Sequence, residues 1–176
     1  MSIFLTVALL HFFAVASPGP DFVLISQQSF RYGRTVAIWT SCGVALGILF
    51  HVAISLTGLS LLLQSQPDLF WYLKLAASLY IGYLGFISLI SKESVDLQKI
   101  SREKGDRYLK SISTGFLINV LNPKAFIFFI TVFTLVINDD TGLFIKGLLG
   151  IYMSLATFIW FTFISILLTN HIATER

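Results

Sequence analysis

The stretch SIFLTVALLHFFAVASPGPDFVLIS, residues 2–26, decides the fold. It is long enough to cross a bilayer, which takes roughly 20 apolar residues. Near its end it is interrupted by Ser17-Pro18-Gly19-Pro20-Asp21-Phe22. Proline removes a backbone donor and clashes with the preceding turn, so Pro18, Gly19 and Pro20 predict an unwound or sharply kinked helix. Carbonyls and amides freed at membrane depth must be met by protein or a water-filled cavity, because lipid offers them no partner.

Outward from this stretch lie four more apolar runs, at residues 35–63, 69–90, 111–137 and 143–169. Each can span, and none alternates apolar with polar residues as a barrel strand would, so all five should be helices. The breaks between them are polar: Arg31-Tyr32-Gly33-Arg34, Gln64-Ser65-Gln66-Pro67-Asp68, a charged segment at 92–110, and Asn138-Asp139-Asp140-Thr141-Gly142. Charged residues make up only 12% of the chain, against roughly 25% in a soluble domain, so water is not its main solvent. The net charge of +3 does not point to nucleic acid, because ten charged residues of both signs crowd into 92–110 and read as a solvated loop. A single cysteine, Cys42, excludes a disulfide or thiolate metal cluster within the chain, and neither metal nor cofactor is expected. The N-terminus lacks a basic n-region and a small-residue cleavage site, so it reads as a retained first helix. The whole chain, 1–176, reads as one transmembrane domain with a first half at 1–90, a cytoplasmic loop at 91–110 and a second half at 111–176.

Orientation follows from Lys and Arg in the short loops. Arg31 and Arg34 in the first, and Lys92, Lys99, Arg102, Lys104, Arg107 and Lys110 in the third, place both loops in the cytoplasm and the N-terminus outside. Tyr32, Trp71 and Tyr72 fall where interfacial aromatics are expected.

A second proline element, Asn122-Pro123-Lys124-Ala125-Phe126, interrupts the fourth run at the depth of the first. Placing Pro20 over Pro123 also places Gly47 over Gly150 without a gap. Two halves of three helices each must insert with opposite orientation, the inverted-repeat plan of many secondary transporters. With five runs, the chain is a 3+3 repeat lacking its sixth helix.

Each proline element is followed by a charge, Asp21 in the first and Lys124 in the second. An ionisable group at membrane depth is costly unless paired or hydrated. The functional reading is that Asp21 and Lys124 approach each other or share an aqueous cavity, the carboxylate meeting a substrate ammonium and the lysine its carboxylate. Asp21 is also the candidate proton-coupling group. The plainer reading is that each reaches its nearer interface or forms a structural ion pair. Pro18, Gly19, Pro20, Asn122 and Pro123 would shape the site. In the second run, Gly43, Gly47, His51, Ser55 and Gly58 share a sector of about 120° and should face the bundle, with Gly43 and Gly47 in a small-xxx-small contact. His51 is a candidate proton-relay or substrate group, weighed against a hydrogen-bonded packing role. Lys74, Ser78, Gly82 and Gly85 form a similar packing stripe, and His11, without polar companions at helical spacing, reads as structural. No glycine-rich phosphate loop, metal-binding histidine pair or G-x-S-x-G occurs. Ser17 and His51 as a hydrolase pair have no support from their spacing, so an enzyme is not expected.

Three segments carry a resemblance that covers essentially the whole chain: Ser17-Pro18-Gly19-Pro20-Asp21-Phe22, Thr40-Ser41-Cys42-Gly43, and Asn119-Val120-Leu121-Asn122-Pro123-Lys124-Ala125. The chain resembles the LysE/RhtB amino-acid exporters, most closely their threonine-efflux members. The resemblance implies a bacterial inner-membrane secondary carrier that expels threonine, homoserine or homoserine lactone by proton antiport. Its implied partners are the amino acid, protons and the bilayer. Such exporters end with a sixth helix that this sequence lacks, so the alternative is a truncated, non-transporting membrane subunit or remnant. Five helices enclose a pathway poorly, which leaves room for a homo-oligomer.

Overall fold

The structure is a computed structural model that describes residues 3–56, 72, 75, 107–133 and 141–174. Six helices are defined: α1 (Ile3–Ala16), α2 (Pro20–Tyr32), α3 (Arg34–Ile54), α4 (Arg107–Val120), α5 (Pro123–Thr131) and α6 (Leu143–Thr174), with no strand among the described residues. Helix α3 and the Leu143–Asn170 part of α6 are each long and apolar enough to cross a membrane. Two bent pairs pass the same test, α1 with α2 at 54° and α4 with α5 at 58°. The molecule is thus an all-α membrane protein, with two spans among the described residues, or four if each bent pair is one. The third apolar run at 69–90, its stripe from Lys74 to Gly85, and Gly58 lie outside the described residues apart from Tyr72 and Leu75, both helical.

Between α2 and α3 the expected loop shrinks to one residue. Gly33 adopts φ 83 and its amide donates to the Ser29 carbonyl at 3.1 Å, a left-handed stop that a Cβ would penalise.

Helix α3 is the centre of the bundle, packed against α4 and α6 and, less extensively, α2 and α5. Its small-residue face is buried as expected at Gly43, Gly47, His51 and Ser55. A Cβ on Gly43 would overlap the Ile112 carbonyl oxygen, and one on Gly115 would overlap that of Thr40. Helices α3 and α4 therefore touch backbone to backbone, one glycine from each admitting the other, which is how membrane helices gain packing without hydrophobic drive. Thr40 and Ser41 can be buried there because their hydroxyls donate to the carbonyls four residues back, at 3.0 and 2.9 Å. Helix α6 crosses the other side of α3, where the Ser154 hydroxyl donates to the Ala45 carbonyl at 2.8 Å.

On α6, Leu148, Ile151, Leu155, Ile159 and Phe163 form an exposed apolar stripe, whereas Ser154, Thr157 and Ser165 are buried. Such a helix is apolar towards its surroundings and partly polar towards its neighbours, as lipid requires. Two buried apolar clusters hold the helices. One joins α1, α3, α5 and α6 around Val7, Ile48, Phe129 and Met153, and the other joins α2, α3 and α6 around Ile25, Val44 and Phe161.

Candidate functional site

The prolines do not bend a continuing helix; each begins a new one. Pro20 starts α2 and Pro123 starts α5, positions where a missing N–H is harmless and the fixed φ suits the helix. The caps differ. Gly19 before α2 is extended, at φ −169, and supplies no side-chain cap, whereas the Asn122 side chain accepts from the Lys124 amide at 3.0 Å.

From these breaks the two ionisable residues reach across to each other's half. Asp21 Oδ2 accepts hydrogen bonds from Asn119 Nδ2 at 3.0 Å and Asn122 Nδ2 at 2.9 Å, while Lys124 Nζ donates to the Ser17 carbonyl at 2.6 Å. The carboxylate thus draws its partners from the second break, and the ammonium from the first. Helix dipoles favour this exchange. Asp21 lies in the first turn of α2, where negative charge is welcome. Lys124 lies in the first turn of α5, where positive charge is not, and its long side chain carries the ammonium to the carbonyl end of α1 instead.

Both side chains line one cavity of about 40 Å³ beside the breaks, together with His11, Asn119, Asn122 and Thr157. The two apolar clusters wall it in, Ile48 and Phe129 from one and Phe161 from the other. At one water per 10–15 Å³ of such space, it holds about three waters, less than an amino acid. The second carboxylate oxygen, Asp21 Oδ1, is buried with no hydrogen-bond partner. Lys124 uses one of an ammonium's three donors on Ser17. An unsatisfied anionic acceptor and a cation with donors to spare on one cavity form an arrangement that can bind both ends of a zwitterion.

A family model described as "LysE type translocator" matches residues 12–174. The chain belongs to this family. Among its relatives, the threonine efflux protein of Escherichia coli (strain K12) is 32% identical over 94% of this chain and 81% of its own length. That of Salmonella typhimurium is 31% identical over the same shares, and an uncharacterized membrane protein of Haemophilus influenzae is 29% identical over 96% and 82%. No solved structure matches. The chain is therefore a translocator and not an enzyme.

Within this LysE type translocator, the structure brings Gly19, Asp21, Asn122 and Lys124 together on the cavity. Pro20 and Pro123 set the helix starts beside it, and Pro18 is exposed. His51 is not on the cavity. Its Nε2 lies 3.0 Å from the Asn119 carbonyl and its ring stacks on Phe129 at 5.6 Å, which is the packing role weighed against a proton relay. His11 also lines the cavity, with Nε2 3.1 Å from Thr157 Oγ1. Asn119, fully buried and bonded to Asp21, is a further site residue. Its side chain is admitted by Gly47, where a Cβ would come within 2.5 Å of Asn119 Oδ1. Asn119 stands in the segment that carries the resemblance, three residues before Asn122, so helical spacing already put both amides on one face. His11 gave no such signal, because its partner is 146 residues away.

Proposed function

We propose that this protein exports small neutral amino acids, namely threonine, homoserine or homoserine lactone, from the cytoplasm by proton antiport. The observation that carries the proposal is the shared cavity on which Asp21 Oδ1 lacks a partner and Lys124 has donors to spare. The substrate ammonium binds Asp21. The carboxylate of threonine or homoserine, or the ring carbonyl of the lactone, lies between the Lys124 ammonium and the uncapped start of α2, whose first amides favour negative charge. When the substrate leaves, a proton takes its place on Asp21, so that one carboxylate serves both exchange partners. The relatives named for threonine efflux support this substrate class.

The matched breaks support an incomplete 3+3 inverted repeat without its sixth span, in which the broken span α1–α2 and the span α3 correspond to the broken span α4–α5 and the span α6. Pro20 corresponds to Pro123, and Gly47 to Gly150, each glycine buried at a helix contact. Since the cavity admits water but not an amino acid, loading requires one half to rock against the other. The loop arginines Arg31 and Arg34 favour a cytoplasmic position for that turn in the inner membrane, with the N-terminus outside.

Efflux of labelled threonine and homoserine from cells expressing the chain tests the proposal beside Asp21→Asn, with membrane abundance quantified. Export by the native sequence, abolished in Asp21→Asn and by collapse of the proton gradient, is the expected result. Equal export by both at equal abundance would sink the assignment of Asp21.

A further inference from the structure

The cavity is also lined by a polar pair apart from Asp21 and Lys124. His11 and Thr157, from α1 and α6, are both almost fully buried, at 3% and 1% exposure, and bond to each other at 3.1 Å. His11 is six residues before Ser17 on the same chain, about 9 Å along the axis at a rise of about 1.5 Å per residue. Its ring is flanked by Phe128 at 5.8 Å and Tyr152 at 6.4 Å, which fix its plane. Two polar side chains buried among aromatic rings cost stability unless each is satisfied, and here each satisfies the other.

We infer that the His11–Thr157 pair reads the side-chain hydroxyl of the transported amino acid. The inference rests on the export reading above. With the ammonium and carboxylate held by Asp21 and Lys124, the substrate side chain points along the cavity towards His11. A hydroxyl bonded to an imidazole nitrogen keeps capacity in either tautomer. If Thr157 donates to His11, its oxygen still accepts, and if His11 donates, the Thr157 proton is free. An incoming substrate hydroxyl can therefore join the pair without breaking it. A methyl group in its place would press against a buried polar pair and form no bond, so a site of this kind favours threonine over its isostere valine.

The test uses inverted membrane vesicles from cells expressing the full chain, with uptake of labelled threonine competed by unlabelled threonine or valine. In the wild type, threonine should compete at least about fivefold better than valine, the worth of one hydrogen bond. Thr157→Val should bring the ratio near one, and Thr157→Ser should keep it. Ser154→Ala, which removes an α3–α6 bond away from the cavity, should alter abundance without altering the ratio. Equal competition by threonine and valine in the wild type overturns this inference alone, whether or not the variants reach the membrane. An unchanged ratio in Thr157→Val overturns it too. Absence of amino-acid uptake in the wild type overturns the export reading and this inference with it.

Discussion

The two broken helices are built alike and equipped differently. Both bend by similar angles, 54° and 58°, and both restart on a proline. At the first, however, Gly19 leaves the new helix uncapped and Asp21 follows; at the second, Asn122 caps the new helix and Lys124 follows. The second break supplies all of Asp21's hydrogen bonds through Asn119 and Asn122, while the first gives back one carbonyl, that of Ser17. The second break thus holds Asp21 in place through its amides, and each break gives one charged group to the cavity. A capped, self-satisfied start can hold a carboxylate in place, and an uncapped start keeps amides available for an anion.

The largest effect is expected from reversing a charge at the second break. Lys124→Glu places a second carboxylate at the Ser17 carbonyl and beside Asp21, so export should fall to background while Lys124→Arg retains part of it; flux assays at matched abundance decide this. Next in size is Gly43→Ala. Its Cβ meets the backbone of Ile112, which cannot rotate away, so α4 must shift from α3 and carry both asparagines with it. Overpacking of this kind costs about 3 kcal/mol, read as a lowered midpoint of thermal unfolding in detergent. An unchanged midpoint would show that the α3–α4 crossing does not set the distance between the breaks.

Smaller effects sharpen the contrast between the caps. Asn122→Ala should cost about 1–2 kcal/mol through the lost cap and weaken export through the lost bond to Asp21. Asn122→Ser keeps a capping oxygen but is too short to carry a donor to Asp21, so it should recover stability and not transport, separating the two duties of one side chain. The smallest effect is expected at Gly19→Ala. The backbone there is extended and a Cβ would lie 3.4 Å from the Lys124 side chain, an ordinary contact. Stability should change by no more than about 0.5 kcal/mol. A larger loss would mean that the first break is as tightly constrained as the second.

Much of the fold was legible because its signals are local. Runs of apolar residues declare a membrane span, and Pro20 and Pro123 interrupt a helix wherever they stand, by covalent geometry. The small face of Gly43, Gly47, His51 and Ser55 followed from helical periodicity and is buried as expected. Asp21 and Lys124 were conspicuous as charges in apolar runs, and they share a cavity. His51 was harder. Residue type and face could place it at the bundle interior but could not tell a cavity wall from a packing contact, and it stacks on Phe129 instead. The place of His11 on the cavity was not legible, because a histidine without neighbours at helical spacing gives no sign of a partner on another helix.

The apolar solvent, the two breaks and the charges that follow them were legible in the sequence, since each depends on residues within a turn or two of one another. Which groups those charges meet depends on helices far apart along the chain. Asp21 finds its asparagines 98 and 101 residues away, Lys124 its carbonyl 107 away, and His11 its threonine 146 away. Those meetings depend on how closely α4 and α6 approach α3. That approach is set by backbone contact at Gly43 and Gly115 and by packing at Gly150, where the absence of a side chain has meaning only against the helix that fills its place.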